Sequence, residues 1–447
     1  MSLPLTNRTP YEVWERILLH VIDVTASPVL ETTCTPSTYL AFKRTCGDGD
    51  STAYQHDYRA AEKHRRNLRL VCRAWNEFAD RWDTRERWIR FVSLREEISD
   101  ERWRGVQRLE FVSSGGINPK SGGMGSWDGE DALYGRHRLV AVLFNWKTLG
   151  VQGGYGMRLR RLEMLYVTSS AFEDVFKGLC EASGALRELR SLGLAIPSTG
   201  GWPLRRLSKH FPKLQHLTLR ACFGDGKSGL EDVADDDVIE EVPGSAEESK
   251  LHDALRLNEL EVLFLVPNKS LFRLSNWSLP SLRHFHVRPV ADVWKTKVFP
   301  FLERHASTIE SLDLDEGTDP TGQTNFAPPD AYDPHTIDFW EIFPSLALLR
   351  CRLSRGMFAS FPGEKHALQY LVDTEPILDA DDLIKVVRPW VERGDVKRLE
   401  GVVVFGPYLS RGVYKRDRGP IAGALQQLRW NGIKLLNPAG RTWVDPL

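Results

Sequence analysis

The first ninety residues carry two amphipathic helical patterns. Thr9-Pro10-Tyr11-Glu12 spells a helix start, with Thr9 as cap, Pro10 at the first helical position and Glu12 closing a capping box. Val13, Trp14, Ile17, Leu18, Val21 and Ile22 follow as one apolar stripe at helical spacing. A second helix is predicted over Leu68–Trp82, where Leu68, Val71, Cys72, Trp75, Phe78, Ala79 and Trp82 share a face. Arg69, Arg73, Asn76, Glu77 and Asp80 lie mostly opposite. Between the two helices, residues 25–67 include turn-rich text at Thr32–Thr38 and Gly47–Ser51, which reads as a surface insertion. Such a loop is tolerable because closure entropy grows only with the logarithm of its length.

From residue 96 onward the period changes. Apolar residues recur at i, i+3, i+6 and i+8, ending in the two-residue period of a strand. Trp103/Val106/Leu109/Phe111, Leu159/Leu162/Leu165/Val167, Leu186/Leu189/Leu192/Leu194 and Leu257/Leu260/Leu263/Leu265 fit it. So do Ala306/Ile309/Leu312/Leu314 and Val396/Leu399/Val402/Val404. At 42% apolar residues the bare pattern recurs by chance about ten times in a chain this long, so it proves little alone. A stricter spelling carries more weight: Phe211-Pro212-Lys213-Leu214, Leu279-Pro280-Ser281-Leu282 and Phe343-Pro344-Ser345-Leu346 place Pro at one fixed point before a strand. There Pro ends the preceding helix and its missing N–H does no harm. The close spacings, Leu165 to Leu192, Leu192 to Leu217, Leu263 to Phe285 and Phe285 to Leu312, are 27, 25, 22 and 27 residues. That is the length of a leucine-rich repeat, and Tyr370-Leu371-Val372 marks one further strand.

Composition narrows the class. The 447 residues exceed one compact core, and 59 Lys and Arg balance 60 Asp and Glu, which argues against a nucleic-acid coat or a polybasic membrane binder. Six cysteines lie too far apart for paired zinc spacing or a disulfide framework. No apolar run reaches the roughly 18 residues of a membrane span, and no signal peptide is evident. A soluble protein of a reducing compartment, cytoplasmic and/or nuclear, is expected.

Pro10–Leu18 together with Leu70-Val71-Cys72-Arg73-Ala74-Trp75-Asn76 resembles an F-box, whose closing helix carries Val-Cys/Ser-Arg-x-Trp. The repeats behind it resemble the irregular leucine-rich repeats that follow many F-boxes. The resemblance implies an α/β fold: a small all-α module at 1–95, then a solenoid at 96–447 with parallel strands inside its curve, helices outside it, and loops near 113–135 and 224–250. It further implies a substrate-recognition subunit of a Skp–cullin–F-box ubiquitin ligase, with no catalytic residue, cofactor or metal of its own. Pro10, Trp14, Ile17, Leu18, Leu70, Val71, Cys72 and Trp75 would meet a Skp-family adaptor and, through it, a cullin. A protein substrate would meet an outward-facing strand row: Tyr166, His216, Thr218, Arg220, Phe264, His284, His286, Arg288, Asp313, Asp315, Arg350 and Arg352. The alternative is a repeat scaffold without a ligase role.

Other motifs carry less. Ala221–Ser228 fits a loose phosphate-loop spelling, but the acidic run at Glu231–Glu248 follows directly and would repel a nucleotide. His284/His286 and Asp313/Asp315 lack the further ligands a metal requires. The glycine clusters Gly122–Gly125 and Gly153–Gly156 lack a strand-then-helix frame.

Overall fold

The computed structural model describes residues 13–14, 16–18, 63–81, 88–91, 106–111, 142–148, 158–164, 169–196, 204–221, 255–265, 274–287, 298–314, 339–351, 366–373, 401–404, 418–430, 432 and 434–436. The chain forms two compact units, one of Met1–Cys34, Ala41–Tyr166 and Glu173–Leu192, the other of Thr35–Leu40, Val167–Phe172 and Gly193–Leu447. The predicted insertion ends earlier than residue 67, because residues 63–69 are helical. The predicted loops at 113–135 and 224–250 lie outside the described residues.

The protein is α/β, and every described strand pairing is parallel. In the first unit β1 (Trp88–Phe91), β2 (Arg108–Phe111) and β3 (Arg161–Met164) pair in chain order. Strand β4 (Ser191–Ile196) lies where the chain passes into the second unit. There β5 (His216–Ala221), β6 (Val262–Leu265), β7 (His284–Val287), β8 (Ser311–Leu314), β9 (Leu348–Cys351), β10 (Tyr370–Asp373), β11 (Gly401–Val404) and β12 (Lys434–Leu436) again pair consecutively. Parallel neighbours need a crossover between them. Helices supply part of it: α1 (Arg73–Arg81) precedes β1, and the crossovers carry α2 (Ser169–Glu181), α3 (Arg205–His210), α4 (Phe299–His305), α5 (Phe339–Ile342) and α6 (Arg418–Trp430). No described helix is long and apolar enough to cross a membrane.

The recurring apolar spacing has a simple origin. Its first half is a β-turn, closed by Leu214 N–H to Phe211 O (3.2 Å), Leu282 N–H to Leu279 O (3.1 Å) and Leu346 N–H to Phe343 O (3.1 Å). Proline at the second turn position pre-sets the required φ, and helices α3 and α5 stop immediately before it. Both turn ends and the two inward strand residues are buried in each repeat, giving rows such as Leu217, Leu263, Phe285, Leu312, Leu349 and Leu371 in register. In several repeats the carbonyl preceding the strand accepts two N–H groups from the next repeat: Glu261 takes Arg283 and His284, and Arg283 takes Glu310 and Ser311. Serines in the Pro-Ser turns reach back as well, Ser281 Oγ to Asn258 O (2.5 Å) and Ser345 Oγ to Ser307 O (2.8 Å).

Two histidines tie adjacent repeats. His305 accepts the Leu279 N–H at Nε2 (3.2 Å), so its proton sits on Nδ1 and is donated to Phe301 O (2.9 Å). His366 accepts the Leu368 N–H at Nδ1 (3.1 Å) and donates Nε2–H to Phe343 O (3.0 Å). Burial holds both imidazoles below their ordinary pKa.

One predicted register is corrected. Leu162, not Leu165, stands opposite Leu109, because β3 pairs Arg161 with Arg108 and Glu163 with Glu110. Leu159, Leu162 and Leu165 are three apolar residues at a constant step of three, so spacing alone left the phase open. The pairing of identical Arg-Leu-Glu triplets fixes it.

Candidate partner-docking surfaces

Near the N-terminus the helical residues build a small core. Leu18 and Phe78 are buried in it, and Leu68 and Trp75 pack against them. Trp14 and Trp75, both half-buried, meet at 5.7 Å between ring centroids, tilted by 48°. Arg65, fully buried, donates to Ala79 O (3.4 Å), a last-turn carbonyl that α1 itself cannot satisfy.

The single helix expected over Leu68–Trp82 is instead broken. Helical residues 63–69 end in a turn closed by Leu70 N–H to Asn67 O and Val71 N–H to Leu68 O (both 3.1 Å). The next helix begins with Asn76 N–H to Cys72 O (2.9 Å). The reason lies in reach: a straight helix would hold Leu68 and Phe78 about 15 Å apart along its axis. The corner folds them into one cluster, and Arg69 Nε spans it to Asn76 Oδ1 (2.9 Å).

The corner sorts the predicted adaptor-binding group. Leu18 belongs to the core, and Trp14 and Trp75 line it. Leu70 at 85%, Val71 at 57% and Ile17 at 44% stand exposed, as does Val13, and Cys72 is an exposed free thiol. Pro10 lies outside the described residues.

The strand row expected to face outward needs correction. His216, Phe264, His284, His286, Asp313 and Arg350 are all buried, while Thr218 and Arg220 are half-exposed. Tyr166, Arg288, Asp315 and Arg352 lie outside the described residues. Period two assigns a residue to a face, but it cannot say whether that face is covered; parallel sheets are normally covered on both. Part of the buried row is paired across strands. Register places Phe264, His286, Asp313 and Arg350 side by side on β6 to β9. Asp313 accepts from Arg350 Nη1 (2.8 Å) and faces His286 Nδ1 (3.1 Å), while Phe264 lies 5.0 Å from the His286 ring. No group of three His, Cys, Asp or Glu able to hold a metal occurs among the described residues.

A second buried charge ladder was not anticipated from the sequence. Arg108 and Glu110 on β2 face Arg161 and Glu163 on β3, all four buried. Arg108 Nη2 lies 3.5 Å from Glu163 and 3.7 Å from Glu110, and Arg161 bonds Glu163 directly. Burial pushes the Glu163 carboxyl up, but Arg161 and Arg108 together outweigh it and hold it below the ordinary carboxylate value. The repeated Arg-Leu-Glu spelling at 108–110 and 161–163 was the available signal.

Comparison with known proteins finds no matching family model, no matching curated protein and no matching solved structure.

Proposed function

We propose that this protein is the substrate-recognition subunit of a Skp–cullin–F-box ubiquitin ligase. Its helical corner docks a Skp-family adaptor, and its leucine-rich-repeat-like region holds a protein substrate. The observation that carries this reading is the exposed apolar corner. Leu70, Val71 and Ile17 stand in solvent beside a core that is already closed by Leu18 and Phe78. Large apolar groups left outside a closed core favour a helix-binding groove on a partner. Burying Leu70 and Val71 in such a groove is worth about 3–6 kcal/mol, roughly 10²–10⁴-fold in affinity. The recurring turn-and-strand unit supports a repeat body, whose contribution is proximity: it raises the effective concentration of a substrate lysine near the conjugating enzyme without a catalytic side chain. Of the row expected to touch substrate, Thr218 and Arg220 retain open surface.

The test is capture of purified Skp-family adaptor by the full chain. Binding that Leu70→Asp with Val71→Asp abolishes supports the reading. Absence of binding by the wild-type chain defeats it and leaves a repeat scaffold without a ligase role.

A further inference from the structure

Helix α3 separates its charges from its apolar residues. Leu204, Leu207 and Phe211, at steps of three and four, are buried and pin one side of the helix to the second unit. Arg205, Arg206 and Lys209 are exposed and share the opposite side, within about 100° of arc. Ser208 stands one turn after Arg205, and its Oγ accepts the Arg256 N–H (2.9 Å). Leu255 and Leu257 are buried, so the exposed Arg256 between them points outward, and the next repeat adds a fourth cation beside α3. No Asp or Glu occurs between Glu188 and Asp225, so the helix meets no counter-charge along its own stretch of chain. Asp253 and Glu259 flank Arg256 in sequence, yet among the described residues none of the four cations has a carboxylate within ion-pair distance. Burial, and then the charges of Lys209 and Arg206, hold the neighbouring His210 imidazole below its ordinary pKa.

We propose that this face of α3, together with Arg256, is a docking surface for an acidic protein segment, a short stretch rich in Asp and Glu. Guanidinium groups pair carboxylates through two parallel hydrogen bonds, and three of the four cations are Arg. Four cations over two neighbouring repeats match a short acidic stretch. Nucleic-acid binding draws on roughly 6–10 phosphate contacts, and the chain as a whole is not basic. The proposal uses residues other than those of the helical corner, so it goes beyond the adaptor reading and does not depend on it.

The experiment is a fluorescence-anisotropy titration of the full chain against a labelled peptide of alternating Glu and Gly, at low and high NaCl. The variants are Arg206→Glu with Lys209→Glu, and Arg206→Gln with Lys209→Gln. Lys177→Glu, at an exposed cation on α2, is the control. Reversal should weaken binding about tenfold or more, neutralisation less, and affinity should fall as salt rises. The control should bind as the wild type does. Binding unchanged by reversal overturns the proposal, and so does an equal loss in the control, which would mean attraction to charge in general. The chain's own run Glu231–Glu248 carries nine carboxylates. If the wild-type chain ignores the peptide while a variant with that run changed to Asn and Gln takes it up, the surface is filled from within the molecule and the partner proposal falls. Absence of uptake by both chains overturns it too. Tighter binding of a single-stranded DNA oligonucleotide than of the peptide, lost on reversal, would assign the surface to nucleic acid instead.

Discussion

The helical corner and the second face of the sheets depart from ordinary burial in opposite directions. At the corner, Leu70 and Val71 face solvent; on the strands, Asp313, Arg108 and Glu163 are shut away from it. The difference lies in where the partner is found. These buried charges meet counterparts on the same or the neighbouring strand: Asp313 meets Arg350 and His286 on the strands beside it, and Glu163 meets Arg161 on its own strand and Arg108 on the next. The apolar groups Leu70, Val71 and Ile17 stay largely exposed, although a small core stands beside them. On the proposed reading, stability and recognition fall to different residues. Substitutions should divide the molecule accordingly.

The largest effect is expected at the ladders. Asp313→Ala leaves Arg350 and His286 without their shared carboxylate, and should cost about 3–5 kcal/mol in urea unfolding. Glu163→Gln, which leaves Arg161 and Arg108 side by side, should cost a similar amount, roughly 3–5 kcal/mol. A loss below about 1 kcal/mol at both sites would break the contrast.

Acid should come next. His305 and His366 are held neutral by burial, with folded pKa values below the unfolded value of about 6.5. The unfolded chain therefore takes up protons first. Their contribution is complete above about pH 6.5 and is lost as pH falls through that value toward the lower folded pKa. Glu163 follows at lower pH, full above about 4.3 and lost as pH falls through its depressed folded value. Unfolding midpoints measured from pH 7.5 to 4 should fall, and His305→Gln should flatten the upper part of that fall. A midpoint that rises on acidification would contradict the assigned tautomers.

Smaller still is Ser281→Ala, which removes one inter-repeat hydrogen bond and should cost about 1 kcal/mol. The smallest stability effect should be Leu70→Ser, within about 0.5 kcal/mol, because the side chain contributes to no core. If Leu70→Ser destabilised the chain as much as Asp313→Ala, the division between folding and recognition residues would fail.

Much of the strand pattern was legible because proline and leucine mark it chemically. Phe211-Pro212, Leu279-Pro280 and Phe343-Pro344 fix the turns, and Leu217, Phe285 and Leu349 fall in register behind them. Tyr370–Asp373 is a strand as expected, while β1 and β12 are preceded by no such Pro spelling in the sequence and went unmarked. The corner was half legible. Its residues followed from the F-box resemblance over two predicted helices, but the turn at Leu70 and Val71, which decides which of them is exposed, depends on tertiary reach between Leu68 and Phe78. The strand row was placed on the right face, with the wrong exposure. Polar side chains such as His286, Asp313 and Arg350 suggest solvent, yet neighbouring strands bring Asp313 against both Arg350 and His286 and make burial tolerable.

Cys72 offers the most direct test, since it sits in the corner as an exposed thiol while Cys180 and Cys351 are buried controls. Its alkylation rate, followed by peptide mass spectrometry, should fall by about tenfold or more when saturating Skp-family adaptor seals the corner. A rate unchanged by bound adaptor would mean that the corner is not where the partner sits.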